Sequence, residues 1–126
     1  MHLQLEQLSV QYRGAQPGVR GKLAVDHVSL GLPPGGIGVL VGPSGSGKTS
    51  VLRAVAGLEP LHSGRVVLDK EVISDAGRGL HVQPEHRRIG MVFQDYALFP
   101  HLSVAENIAF GLSALSRSDR AARVAE

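Results

Sequence analysis

The chain has 126 residues, the length of one ordinary domain, and its apolar content of 43% is sufficient for a hydrophobic core. Its net charge of +2 favours neither nucleic acid nor an anionic membrane surface as a partner. Cysteine is absent, which excludes disulfides and thiolate metal sites. No run approaches about 18 apolar residues and the N-terminus does not resemble a signal peptide, so we expect a cytoplasmic protein.

Two strands are predicted in the first quarter of the chain. Residues 3 to 12 alternate apolar and polar in two phases, which a bulge near Glu6-Gln7 would join. Tyr12 ends this strand, where an aromatic ring either packs half buried or offers a face that stacks on a base. Residues 13 to 23 are rich in Gly, Pro, Gln and basic residues and predict a loop. Residues 25 to 32 alternate again and predict the second strand.

The stretch from Gly42 to Thr49 reads GPSGSGKT and fits the phosphate-binding pattern GxxxxGK[ST] at every fixed position. The apolar run at 37–41 before it predicts a buried strand. Residues 49 to 56 predict a helix, with Gly57 as its C-terminal cap. Strand, glycine-rich loop and helix are the context that this motif requires.

The residue types of this stretch suit a nucleoside triphosphate with Mg²⁺. Glycines let successive backbone N–H groups point at phosphate oxygens, and the helix adds the positive end of its dipole. We expect the Lys48 ammonium to reach the β- and γ-phosphates and the Thr49 hydroxyl to be a ligand of Mg²⁺. The alternative is a Gly/Ser turn before an ordinary helix. The predicted nucleotide-binding residues here are Gly42, Pro43, Ser44, Gly45, Ser46, Gly47, Lys48, Thr49 and Ser50.

The middle of the chain contains a predicted hairpin and a second buried strand. Residues 66 to 73 predict the hairpin, and residues 74 to 84 predict an irregular loop. The apolar run at 89–93 predicts a central strand, and Gln94 follows it directly. Because ligands lie beyond the carboxyl ends of strands in open α/β sheets, the Gln94 amide oxygen is a candidate to ligate Mg²⁺ or to orient a water. The alternative is a solvated loop residue.

The last third of the chain predicts an apolar loop and two helices. Residues 95 to 102 form the loop, whose apolar side chains look exposed. Ser103 is predicted to cap the first helix in a capping box with Glu106. Ser118 or Asp119 is predicted to cap a final short helix over residues 120 to 126.

The phosphate loop, the strand that ends at Gln94 and the loop after it together resemble the ATP-binding subunit of an ABC transporter, over essentially the whole chain. In that family GPSGSGKT is the Walker A loop. An aromatic residue that matches Tyr12 stacks on adenine, and the glutamine of VFQ, here Gln94, contacts Mg²⁺ and reports the nucleotide state to the membrane subunits. The resemblance implies ATP and Mg²⁺ as cofactors, with Thr49 and Gln94 as metal ligands.

The resemblance also implies the fold class and its parts. The fold is α/β, a P-loop NTPase core with an N-terminal antiparallel β-subdomain. The β-subdomain would take about 1–36 and 64–73, and the P-loop with its helix 37–63. The core strand and Q-loop would take 87–94, and the start of the helical subdomain 95–126.

The stretch from Arg87 to Leu112 looks like the importer branch that handles ferric iron, polyamines, sulfate and similar solutes. The loop at 74–84 followed by PEHRR is most similar to ferric iron importers, so we expect ferric iron uptake. The implied partners are transmembrane permease subunits docking near Tyr96 to Leu102, a second ATP-binding subunit in a head-to-tail dimer and, indirectly, a solute-binding protein. The alternative for the apolar loop is local packing on the next helix. The implied location is peripheral, on the cytoplasmic face of the membrane.

The later motifs of the family do not lie between Leu112 and Glu126. These are the LSGGQ signature, the Walker B strand, the catalytic Glu and the switch His. We therefore expect an N-terminal part of a longer subunit, poorly stable in isolation and unable to hydrolyse ATP alone. One alternative is a nucleotide-binding or regulatory module without turnover. A weaker one is a nucleoside monophosphate kinase such as guanylate kinase, against which the long β-rich segment before Gly42 argues.

Overall fold

The computed structural model describes residues 2–12 and 21–126. The chain divides into two compact units, Met1–Met91 and Val92–Glu126. Most of the loop predicted over residues 13 to 23 lies outside the described residues, and its last residue, Leu23, already begins a strand.

The first unit is built on a five-stranded antiparallel sheet, which confirms the antiparallel part of the predicted fold class. The strands lie in the order β2-β1-β3-β4-β5. Their bounds are β1 Leu3–Gln11, β2 Leu23–Leu32, β3 Ser63–Leu68, β4 Glu71–Asp75 and β5 Leu80–His81.

The bulge predicted near Glu6-Gln7 is confirmed. Leu5 pairs with Leu30 of β2 and Leu8 pairs with Val28, and the register shifts between these two pairs. Gln7 has φ 49°, in the left-handed region that some bulges use for their extra residue. Because the shift changes which alternate residues face the core, Leu5 and Leu8 are both buried.

The predicted hairpin is also confirmed, as β3 and β4. The two residues between the strands, Asp69 and Lys70, have φ 48° and 69°, and positive φ at both central residues is typical of the tight turn that matches strand twist.

The irregular loop predicted over residues 74 to 84 is only partly right, because the chain turns back and adds β5. The Asp75 carboxylate stabilises this turn by accepting hydrogen bonds from the N–H groups of Gly77 and Arg78, at 3.0 and 3.2 Å.

The helix predicted after the phosphate loop is confirmed as α1, Lys48–Ala56, and it packs against the sheet. Gly57 ends it in the left-handed conformation, φ 85°, and donates its N–H to Ala54 O at 3.2 Å. Leu58 N–H donates to Arg53 O at 2.9 Å, which completes a Schellman motif. The core of this unit combines residues of the sheet with two of α1: Leu5, Leu8, Val10, Val25, Val51, Ala54, Val66 and Ile73.

The strands predicted over 37–41 and 89–93 are wrong for the described residues, where neither run forms a strand. Ile37 and Val41 are each 91% exposed, and Val92 is 96% exposed. A central strand needs hydrogen-bonding neighbours and an apolar layer on each face. No strand among the described ranges pairs with either run, so their apolar composition is not matched by burial.

The second unit contains helix α2, Val104–Ala109, a 3-10 turn, Phe110–Leu112, and helix α3, Arg117–Ala125. The predicted capping box of α2 is confirmed, since Ser103 Oγ accepts from Glu106 N–H at 3.2 Å and Ser103 N–H donates to the Glu106 carboxylate at 2.7 Å.

The predicted cap of the last helix is wrong. Ser116 caps α3, because its Oγ accepts from Asp119 N–H at 3.2 Å and donates to the Asp119 carboxylate at 2.7 Å. Asp119 is therefore the acidic partner of the cap, in the first turn, and the helix begins earlier than predicted. No helix in either described range is long and apolar enough to cross a membrane.

Candidate phosphate-binding site

The loop from Gly42 to Gly47 leads directly into α1 and turns through a hydrogen bond from Ser46 N–H to Pro43 O, at 3.2 Å. Gly45 and Gly47 have φ 81° and 95°, a conformation that side chains rarely adopt. Gly47 is constrained further, because a Cβ there would lie far inside van der Waals contact of Ala24 O in β2. The predicted glycine-rich loop is thus held close against the sheet.

The N-terminus of α1 has no side-chain cap and no acidic residue in its first turn. The first intrahelical hydrogen bond runs from Val51 N–H to Gly47 O, at 3.0 Å. The N–H groups before Val51 in this first turn have no acceptor within the helix. Unsatisfied N–H groups and the positive end of the helix dipole together suit an anion.

The Lys48 side chain lies over the same loop. Its ammonium donates to Gly42 O at 2.5 Å, to Pro43 O at 2.8 Å and to Ser46 Oγ at 3.3 Å. These contacts hold a positive charge beside the loop backbone, at the end of the helix that favours an anion. The ammonium and the first-turn N–H groups are donors of the type that phosphate oxygens accept, and a phosphate would replace loop acceptors that now engage the ammonium.

Tyr12 lies beside the first turn of α1. The Tyr12 hydroxyl lies 2.8 Å from Ser50 Oγ. Ser50 is buried, whereas Tyr12 is 39% exposed. An exposed hydroxyl at Thr49, beside these residues, is the type of oxygen that Mg²⁺ accepts when waters and phosphates fill its other positions.

Gln94 is exposed and belongs to the second unit, whereas the phosphate loop belongs to the first. Its predicted approach to Mg²⁺ therefore stays a prediction. The remaining predicted residues of the loop, Pro43 and Ser44, are exposed.

The apolar loop of the second unit is exposed, as the sequence predicts, and it is also ordered by hydrogen bonds. Tyr96 and Leu98 are 85% and 70% exposed. The Asn107 amide accepts from Phe99 N–H at 2.9 Å and donates to Leu102 O at 3.2 Å and Ser103 O at 2.9 Å. This side chain of α2 fixes the shape of the loop. Tyr96 and Leu98 remain accessible, whereas the Phe99 ring packs against the Phe110 ring, with centroids 4.5 Å apart.

Sequence reasoning missed a buried arginine, Arg87, which is only 2% exposed. It donates to the carbonyl oxygens of Ala54 and Val55, in the last turn of α1. Its acceptors lie up to 33 residues away along the chain, so no local pattern marks it. The pair Arg87-Arg88 before an apolar run is the only sequence signal, and it does not tell which arginine is buried.

A family model described as ABC transporter matches residues 25–126 of the chain. Similar proteins include the spermidine/putrescine import ATP-binding protein PotA of Shigella dysenteriae serotype 1 (strain Sd197) and that of Escherichia coli (strain K12). Each is 48% identical over 103 residues, which is 82% of this chain and 26% of the relative. The chain therefore spans about a quarter of the length of these relatives.

Two solved structures of the ATP-binding cassette MJ0796 share the fold. A dimeric post-hydrolysis state bound to ADP and Pi is 27% identical, with a TM-score of 0.77, over 97% of this chain and 53% of that one. A dimeric structure described as a bacterial ABC transporter cassette is 28% identical, with a TM-score of 0.75, over 94% and 52%. Since the family model also covers most of the chain, this protein belongs to the ABC transporter family.

Proposed function

We propose that the chain binds MgATP at the phosphate loop and the first turn of α1. The observation that carries this proposal is the uncapped N-terminus of α1, which follows a glycine-rich loop and has the Lys48 ammonium beside it. Family membership supports ATP as the nucleotide. The proposed binding residues of the loop and helix are Gly42, Pro43, Ser44, Gly45, Ser46, Gly47, Lys48, Thr49 and Ser50.

Each group has a chemical role in this proposal. The backbone N–H groups of the loop donate to phosphate oxygens, and Lys48 supplies a point charge to the β- and γ-phosphates. The Thr49 hydroxyl would hold Mg²⁺, which would neutralise charge on the phosphates, and the family resemblance implies the Gln94 amide oxygen as a further ligand. The Tyr12 ring stacks on adenine, for which its partly exposed face is suitable.

For the full-length protein we propose ATP hydrolysis coupled to solute import, as an ATP-binding subunit that lies on the cytoplasmic face of the membrane. Its permease partner would dock on the exposed loop near Tyr96 to Leu102, where contiguous apolar side chains are accessible. A second ATP-binding subunit would complete a head-to-tail dimer, and a solute-binding protein would deliver the solute to the permease. The dimeric form of both similar cassettes supports this assembly.

The solute that the similar proteins support best is a polyamine. The relatives named above are spermidine/putrescine import proteins, and none of them is named for iron. Ferric iron, which the sequence predicts, therefore has no support from them. The residues of this subunit do not determine which solute is imported, so uptake of each solute must be measured directly.

The test is uptake by the full-length subunit assembled with its permease and solute-binding protein in proteoliposomes that contain MgATP. We expect uptake of radiolabelled spermidine, loss of uptake in Lys48→Ala and normal uptake in Lys70→Asn, a control that removes a lysine charge at a turn. Uptake of ferric iron alone would favour the iron importer. Nucleotide binding without hydrolysis or uptake of either solute would favour the regulatory module.

A further inference from the structure

Arg87 is buried inside the first unit, although arginine is rarely buried, and its guanidinium donates several hydrogen bonds there. Its three nitrogen atoms each donate, and the acceptors belong to α1, to β4 and to the β5 region. Nε donates to Val82 O at 2.7 Å. One terminal nitrogen donates to Ala54 O at 3.3 Å and to Val55 O at 3.1 Å. The other terminal nitrogen donates to Ser74 Oγ at 2.7 Å and to His81 Nδ1 at 3.3 Å.

These contacts place a positive charge at the negative end of the α1 dipole. The last carbonyl groups of a helix have no N–H donor within the helix; Arg87 donates to Val55 O and adds a second donor to Ala54 O, which also accepts from Gly57 N–H. Burial lowers the pKa of the Arg87 guanidinium from its ordinary value, which is the cost of keeping this charge away from water. The hydrogen bonds to uncharged acceptors offset that cost.

Two neighbouring residues fit closely around the guanidinium. A Cβ at Gly57 would lie 2.5 Å from Arg87 Nε, so the residue that ends α1 leaves room for the arginine. Since the guanidinium has no acceptor, His81 Nδ1 accepts from it and His81 Nε2 carries the hydrogen. His81 Nε2 then donates to Gly57 O at 3.1 Å, which makes a second link to the same helix end.

We propose that Arg87 is a positioning residue for nucleotide binding: by holding the C-terminal end of α1 on β4 and β5, it sets where the N-terminal end presents its phosphate-binding groups. Lys48 lies about 9 Å along the helix from Ala54, at 1.5 Å per residue. A short helix moves as one body, so a tilt at its last turn displaces the donors of its first turn. This inference rests on the proposed function of the phosphate loop.

The proposal depends on the forked shape of the guanidinium and not on charge alone. A lysine at this position keeps the positive charge but has a single nitrogen, which cannot reach acceptors on α1, β4 and β5 together. Arg87→Lys is therefore the informative variant. Arg88→Lys is the matched control, because Arg88 is exposed and adjacent in sequence.

The experiment is calorimetric titration of the full-length subunit with MgATP, which reports the dissociation constant and the fraction of competent sites separately. We expect the dissociation constant of Arg87→Lys to rise about tenfold and that of Arg88→Lys to stay unchanged. A purely structural role would lower the fraction of competent sites and leave the dissociation constant unchanged, and this result would overturn the proposal. The ¹⁵N NMR signals of His81 should show that Nε2 carries the hydrogen in the wild type. In Arg87→Lys the signals should no longer show this single tautomer.

If Arg87→Lys does not fold, Ser74→Ala decides the question, because it removes one acceptor and leaves the contacts to α1 in place. We expect a dissociation constant about threefold higher, and an unchanged value would overturn the proposal. If the wild-type chain itself does not bind MgATP, the proposed function fails and the inference falls with it. If the wild type binds and both variants bind equally well, only the inference fails.

Discussion

Tyr12 and Ser50 lie 38 residues apart in sequence and are joined by their hydroxyl groups, at 2.8 Å. At the scale of single residues, Lys48 and Thr49 are predictable from sequence because their pattern is local and each fixed position has a chemical reason. Arg87 is not predictable, because its acceptors are carbonyl oxygens and side chains of three other segments. The contact between Tyr12 and Ser50 is likewise tertiary, and only the family resemblance anticipates a shared site.

Tyr12 offers a residue-scale prediction about the base. Tyr12→Ala should weaken ATP binding by about 1–3 kcal/mol, because an aromatic face stacked on a base is lost. Tyr12→Phe should bind ATP nearly as the wild type does, since it keeps the ring and loses only the hydrogen bond to Ser50. Calorimetric titration with ATP and with inorganic tripolyphosphate measures both effects.

Tripolyphosphate is the control ligand, because it has the phosphates and no base. Its affinity should be equal in the wild type and both Tyr12 variants. A loss of ATP affinity in Tyr12→Phe as large as that in Tyr12→Ala would argue against stacking and would assign the effect to the hydroxyl group.

At the scale of elements, the sequence pattern predicts those elements that interactions between nearby residues stabilise. The bulge of β1, the β3–β4 hairpin, helix α1 and the capping box of α2 each follow from residues close together in sequence. The runs at 37–41 and 89–93 are different, since a central strand depends on neighbours that its own residues do not encode. The predicted cap of α3 is misplaced because three cap-forming residues, Ser116, Ser118 and Asp119, lie within four positions and compete for the same helix end.

The bulge in β1 leads to an element-scale prediction about stability. Leu8 is fully buried because the register shift turns it into the core, so Leu8→Ala should lower the free energy of unfolding by about 2–5 kcal/mol. Leu52→Ala is the matched control, since Leu52 is 54% exposed on α1 and alanine favours helix; it should change stability by less than about 0.5 kcal/mol. Urea denaturation followed by circular dichroism compares them, and equal losses would contradict the burial assigned to Leu8.

At the scale of the whole molecule, the described residues combine the glycine-rich loop and α1, which we propose to bind phosphate, with two apolar runs that pair with no strand. Ile37, Val41 and Val92 are almost fully exposed, although their composition is that of buried strands. The chain spans about a quarter of the length of the relatives described above. Family and fold are therefore recognisable over most of the chain, while the activity of the whole protein remains a proposal.

Binding of nucleotide at the phosphate loop is measured directly by calorimetric titration of the full-length subunit with MgATP. The control lysine, Lys70, lies in the turn after Leu68, which pairs with Leu3, so it is at the opposite end of β1 from Tyr12. We predict that Lys48→Ala weakens binding by about 1.5–3 kcal/mol, roughly 10- to 150-fold, and that Lys70→Asn binds as the wild type does. Equal affinity for MgATP in Lys48→Ala and the wild type would show that the phosphate loop is not the nucleotide site.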